Sequence, residues 1–180
     1  MKTIIIGEAG VNHNSSLEMA FKLVDVAVDA GVDIVKFQAA IPEEVVTKYV
    51  EKAEYQKQTT GENESQLDMT RRIHLPLEAF HKIRKYCERK RIQLLITTFD
   101  LTSTNYISRM DPLMFKIPSG EITNLPYLRH IGQYKKSVIL STGMSNLGEI
   151  ESALEVLETA GTPRKKITVL HCNTEYPTPM

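Results

Sequence analysis

Residues 113–121, LMFKIPSGE, hold a short apolar run with one lysine, Lys116, in its middle and a Pro-Ser-Gly turn at its end. An apolar run of this length, bounded by turn residues, reads as a buried strand over 113–117. The pattern repeats along the chain. Strands are expected over 3–7, 33–38, 92–97, 137–141 and 166–171. Between them, apolar residues recur at helical spacing. The clearest stretch is 16–30, where Leu17, Ala20, Phe21, Val24, Ala27 and Val28 share one face, Ser15 or Ser16 can cap the start, and Gly31 ends it. Helices are also expected over 76–89, 102–110, 125–132 and 147–160. The polar segment 39–73 reads as irregular.

Strands alternating with helices imply parallel pairing, because a parallel neighbour needs a crossover connection. An open doubly wound sheet and a (β/α)8 TIM barrel both satisfy this. Glu8, Lys36, Gln38, Thr97, Lys116, Ser119, Ser141, Thr174 and Tyr176 are all expected just past the C-terminal ends of strands. A barrel brings every such end to one rim, an open sheet only those near its switch point. The barrel is therefore the favoured α/β fold. A complete barrel takes about 250 residues, and this chain of 180 supplies about six strands. The expectation is a truncated barrel, with residues 1–180 as its N-terminal part.

Composition sets the surroundings. Hydrophobic residues make up 42% and charged residues 24%, as in soluble globular proteins. Lys plus Arg and Asp plus Glu each number 22, so the net charge gives no reason to expect nucleic acid or a membrane as partner. Cys87 and Cys172 form no CxxC and are expected buried and reduced. The opening MKTIIIGEAG is too short in apolar residues for a signal peptide, and no stretch reaches the ~20 needed for a membrane span. The cytoplasm is the default location.

Lys36 in VKFQ and Lys116 in FKIPSGE are embedded in apolar strands. Burying an ammonium is costly unless an anion meets it. On one rim the two would suit a ligand carrying phosphate and carboxylate. Thr97, Thr98, Ser119, Ser141 and Thr142 add hydroxyls, and the Ser119-Gly120 and Thr142-Gly143 turns offer backbone N–H groups to an anion. Ordinary turn chemistry accounts for either turn alone. Glu8 is a candidate acid or base. His13 and Asn14 can bind a sugar or simply hold the loop into the first helix. His171 reads as structural, and His74, His81 and His130 read as surface residues. No HxxxH or HxH is present, so a complete metal site is not encoded in this stretch.

Five segments in order resemble the N-acetylneuraminate (sialic acid) synthase family: GEAGVNHNSS at 7–16, DAGVDIVKFQ at 29–38, FKIPSGEITNLPYL at 115–128, ILSTGMSNLGEIE at 139–151 and LHCNTEYPTP at 170–179. EYQKQTTGENESQLDM at 54–69 and TTFDL at 97–101 resemble the N,N'-diacetyllegionaminate synthase branch. The resemblance implies a TIM barrel followed by a C-terminal antifreeze-like domain, absent here, and a domain-swapped homodimer. It implies that Lys36, Thr97, Lys116, Ser119, Ser141 and Thr174 hold phosphoenolpyruvate. Position 174 is usually Asn in the neuraminate branch. Gln38, Phe99, Glu121 and Tyr176 match the neighbourhood of the sugar, and Glu8 matches a proposed catalytic carboxylate.

The activity so implied is that of a transferase. It condenses phosphoenolpyruvate with an acetamido sugar, 2,4-diacetamido-2,4,6-trideoxymannose or N-acetylmannosamine, to give a nonulosonic acid and phosphate. A divalent cation, Mn2+ or Mg2+, is implied, with its ligands beyond residue 180. Two other readings stand beside it. One is an inactive truncated chain that only binds a small phosphorylated ligand. The other is a phosphate-binding barrel such as an aldolase, for which the hydroxyl-rich surroundings of Lys36 and Lys116 suit anion binding better than a neutral amine nucleophile.

Overall fold

The computed structural model describes residues 3–52, 57, 64–174 and 178. They fall into two compact units, Met1–Ile96 and Thr97–Met180.

The first unit contains strand β1 (Ile6–Gly10), helix α1 (Leu17–Asp29), strand β2 (Ile34–Ala39), helices α2 (Pro42–Val45), α3 (Gln66–Ile73) and α4 (Ala79–Lys90), and most of strand β3 (Gln93–Thr98). The strand order is β1-β2-β3, and β1 pairs with β2 in parallel, Glu8 opposite Lys36. Ser16 caps α1 by accepting from the Met19 N–H at 3.2 Å. Gly31, at φ 69°, turns the chain out of the helix. Ala20, Val24 and Ala27 form the buried stripe of α1, and Phe80, Ile83 and Cys87 that of α4.

Two expectations fail in this unit. The first strand lies at Ile6–Gly10, not 3–7. Ile5 is spent on the β2 approach: its carbonyl accepts from Asp33 and Ile34, and its N–H donates to the Asp33 carboxylate. The ladder therefore begins one residue later and runs on to Gly10. The segment 39–73 is not wholly irregular, since α2 and α3 lie within it. Ser65 caps α3 by accepting from the Asp68 N–H at 3.0 Å. Only Met69 and Thr70 of α3 are buried, so a mostly polar helix left a weak apolar signal.

The second unit begins with Thr97 and Thr98 of β3. It continues through α5 (Leu101–Ser108), β4 (Met114–Ile117), a 3-10 turn (Ser119–Glu121), α6 (Leu125–Gln133), β5 (Ser137–Ser141), α7 (Leu147–Ala160), a second 3-10 turn (Arg164–Lys166) and β6 (Ile167–Leu170). The order is β3-β4-β5-β6, and each recorded pairing is parallel. Asn146 and Glu149 build a reciprocal capping box at the start of α7. Phe115, Ile117, Val138 and Leu140 point one way, into a core with Tyr127, Leu128 and Ile131 of α6 and Ala153, Leu154 and Leu157 of α7. Successive side chains of a strand point to opposite faces. Lys116 and Ser141 are therefore turned away from the helices.

Candidate active site

In the first unit the alternation that sends Val35 and Phe37 into the apolar side turns Lys36 and Gln38 to the other face. Lys36 is buried and its Nζ forms an ion pair with Glu8 Oε2 across the β1–β2 ladder. Gly10 stands at φ 54°, and a Cβ there would lie 3.5 Å from Glu8 Oε1 and 3.9 Å from Gln38 Nε2. Glu8 and Gln38 thus approach a glycine that leaves room between them, and Lys36 joins the group through its ion pair with Glu8. Glu8 remains half exposed, so its carboxylate is open to solvent and to a ligand.

In the second unit Lys116 is 7% exposed. Its Nζ donates to Ser141 Oγ at 2.7 Å and to the Ile117 carbonyl at 2.9 Å. Thr97 pairs with Lys116 in register and is buried. Past β4, Ser119 Oγ accepts from the Gly143 N–H at 2.9 Å. Past β5, Thr142 Oγ1 donates to the Leu170 carbonyl at 2.8 Å and ties the turn to the end of β6. Thr174 closes on the same turn, its methyl lying 2.5 Å from where a Gly143 Cβ would sit. Lys116, Ser141, Ser119 and Thr174 therefore share one locality, held by the turn at 142–145.

Several positions differ from expectation. Glu8, Lys36, Gln38, Thr97, Lys116 and Ser141 lie within strands, not past their ends, whereas Ser119 and Thr174 lie beyond one, as Phe99 and Glu121 do. The Gly143 N–H, expected to face an anion, is bound to Ser119. Glu121 Oε2 accepts from Asn124 Nδ2 at 2.6 Å at the start of α6, where Asn124 is the cap, so its carboxylate has a helix-capping partner. Phe99 is half-buried after β3. Tyr176 lies outside the described residues.

His74 and His130 depart from the expected surface placement, whereas His81 is exposed as expected and His13 takes the loop-holding alternative. His13 is fully buried against Phe37, with ring centroids 5.9 Å apart, and its Nδ1 accepts from the Ser15 N–H. Burial, with a smaller contribution from His74, lowers its pKa to about 4. It holds the loop. His74 and His130 are half-buried and hydrogen-bonded to the Thr70 carbonyl and to Asn105, respectively. Cys87 is buried, with its thiol pushed up to about 12 by desolvation, whereas Cys172 is only half-buried. Gly143 is the position the sequence reading undervalued, and only the approach of Thr174 and Ser119 to it exposes its role. Among the described residues no three His, Cys, Asp or Glu side chains converge as metal ligands would, and no helix is long and apolar enough to cross a membrane.

The NeuB family model matches residues 23–180. The chain is 49% identical over 178 residues to an N,N'-diacetyllegionaminic acid synthase of Campylobacter jejuni, covering 99% of this chain and 53% of that protein. It is 38% identical to the synthase of the same name from Legionella pneumophila, covering 98% and 50%. Among solved structures, the N-acetylneuraminic acid synthetase of Leptospira borgpetersenii in complex with citrate matches with a TM-score of 0.81 at 26% identity, over 98% of this chain and 57% of that one. The chain spans about half the length of the curated relatives it matches. Its fold is the α/β half-barrel of these synthases, six parallel strands in sequence order.

Proposed function

The chain belongs to the NeuB family, and on that premise we propose that it carries the phosphoenolpyruvate-binding part of a nonulosonic acid synthase. The observation that carries this reading is the buried Lys116 ammonium set against Ser141, with Ser119 and Thr174 meeting at Gly143 in the turn that follows Ser141. A buried ammonium surrounded by hydroxyls is suited to a small anion, because charge-assisted hydrogen bonds then offset its desolvation. Lys116, Ser119, Ser141, Thr174 and the neighbouring Thr97 bind phosphoenolpyruvate. In the first unit, Lys36 supplies positive charge for the same class of ligand. Gln38 serves the sugar, as do Phe99, Glu121 and Tyr176.

The reaction joins C3 of phosphoenolpyruvate to the aldehyde carbon of an open-chain acetamido sugar. Water adds at C2, the aldehyde oxygen gains a proton, and phosphate leaves by C–O cleavage. Glu8 moves a proton at the sugar oxygen or at the water, held in place by its ion pair with Lys36. The favoured sugar is 2,4-diacetamido-2,4,6-trideoxymannose rather than N-acetylmannosamine, supported by the 49% identity to a diacetyllegionaminic acid synthase. The divalent ion belongs with the part of the relatives' length that this chain does not span. The test is phosphate release from phosphoenolpyruvate with each sugar in turn. Release with neither sugar, while phosphoenolpyruvate still binds, would leave a binding protein without synthase activity.

A further inference from the structure

The turn after β5 is drawn tight on both sides. Thr142 Oγ1 holds the Leu170 carbonyl at 2.8 Å, and the Gly143 N–H holds Ser119 Oγ at 2.9 Å. Met144, the next residue, stands at φ 57°, which a non-glycine residue adopts only at a cost. Gly143 itself does not have positive φ, so its backbone conformation does not demand glycine. Space does. A Cβ at 143 would lie 2.5 Å from Thr174 Cγ2 and 3.0 Å from Ser119 Oγ. The glycine therefore lets the main chain come close enough to donate to the serine.

That hydrogen bond has a directional consequence. A hydroxyl has one proton and two acceptor positions. Because Ser119 Oγ accepts from the Gly143 N–H, its own proton is turned away from the turn. An anion beside Lys116 then meets a hydroxyl already oriented to donate.

We propose that Gly143 is a positioning residue for phosphoenolpyruvate binding, acting through Ser119, and that the Thr174 methyl sets the limit on what position 143 can carry. The proposal rests on the phosphoenolpyruvate reading above and adds the device that orients one of its donors. A methyl at 143 displaces the turn from Ser119 unless Thr174 gives up its own methyl, after which the 3.0 Å approach to Ser119 Oγ asks only a small adjustment.

The test uses the full-length protein and four variants: Gly143→Ala, Ser119→Ala, the pair together, and Gly143→Ala with Thr174→Ser. Thr174→Ser alone is the reference for the last. Phosphoenolpyruvate affinity is measured by calorimetry, KM and kcat by phosphate release, and thermal midpoint without ligand. Gly143→Ala is expected to weaken phosphoenolpyruvate binding about tenfold, the scale of one hydrogen bond to a charged group, and to raise KM with kcat within about threefold of wild type. In the Ser119→Ala background it should have little further effect. Thr174→Ser should restore Gly143→Ala to within about threefold of Thr174→Ser alone, in affinity and in midpoint. A full additive loss on top of Ser119→Ala, or no restoration by Thr174→Ser, overturns the proposal. Wild-type protein that does not bind phosphoenolpyruvate overturns the underlying reading, and the proposal with it.

Discussion

Lys116 Nζ, on β4, donates to Ser141 Oγ, at the end of the neighbouring β5, at 2.7 Å. Accepting the ammonium proton leaves the serine hydroxyl to donate to a ligand. Lys116→Ala is expected to abolish phosphoenolpyruvate binding. Ser141→Ala should weaken it about tenfold, roughly 1.4 kcal/mol. Calorimetric titration checks both, and unchanged affinity in Lys116→Ala would remove that residue from the site.

Glu8 and Lys36 form an ion pair at the β1–β2 ladder, with Glu8 half exposed. Glu8→Gln keeps the shape and removes the proton acceptor. It should lower kcat by about a hundredfold or more, the scale of general acid–base catalysis, with phosphoenolpyruvate affinity changed less than about threefold. Steady-state phosphate release beside calorimetry separates the two. A variant with full kcat would dismiss Glu8 as the proton carrier.

His13 is buried, and its pKa falls from 6.5 to about 4 on folding. The depressed folded value means that the native state holds the neutral ring. Stability is thus fully present above about pH 6.5 and is lost as pH falls toward 4, by up to about 1.4 kcal/mol per pH unit. Urea unfolding at pH 7.5 and pH 5 reads the slope. His13→Gln should flatten that part of the profile; an unchanged slope would place the titrating group elsewhere.

Gly132 is packed where α6 meets α7. A Cβ there would lie 2.5 Å from Ala160 Cβ and 2.9 Å from the Leu157 carbonyl. Gly132→Ala gains helix propensity but forces the two helices apart. The overpacking should dominate, with a net loss of about 1–3 kcal/mol. Chemical denaturation measures it, and a stabilised variant would show that the helices move apart at no cost.

At the start of α7, Asn146 Oδ1 accepts from the Glu149 N–H at 3.0 Å while the Glu149 carboxylate accepts from the Asn146 N–H at 2.9 Å. Asn146→Ala should cost about 1 kcal/mol, seen as a lower urea midpoint with an unchanged denaturant slope. Unaltered stability would mean that the α7 cap is redundant.

Strand and helix alternation and the parallel α/β class were legible along the chain, as was the placing of Lys36 and Lys116 inside apolar strands. Each signal is local: a strand advertises itself by apolar residues, and a lysine inside one is conspicuous because its burial is costly. The capped start of α1 and its glycine end were legible for the same reason. The polar helix α3, the three-residue shift of β1 and the burial of His13 were not. The helix carries too few apolar residues to show a periodicity, and the other two depend on partners distant in sequence: Asp33 takes the Ile5 amide, and Phe37 covers the imidazole.

The role of Gly143 belongs wholly to this second kind. In the chain it is one glycine in a turn, and nothing nearby distinguishes it from Gly120. Folding brings Ser119 from one side and Thr174 from the other, and the space between them admits no methyl. Residue type and periodicity dictate which segments pair and which side chains carry charge, because those preferences act within a few residues. Which donor faces which acceptor, and where a single carbon is one too many, follows from close packing of segments far apart in the chain.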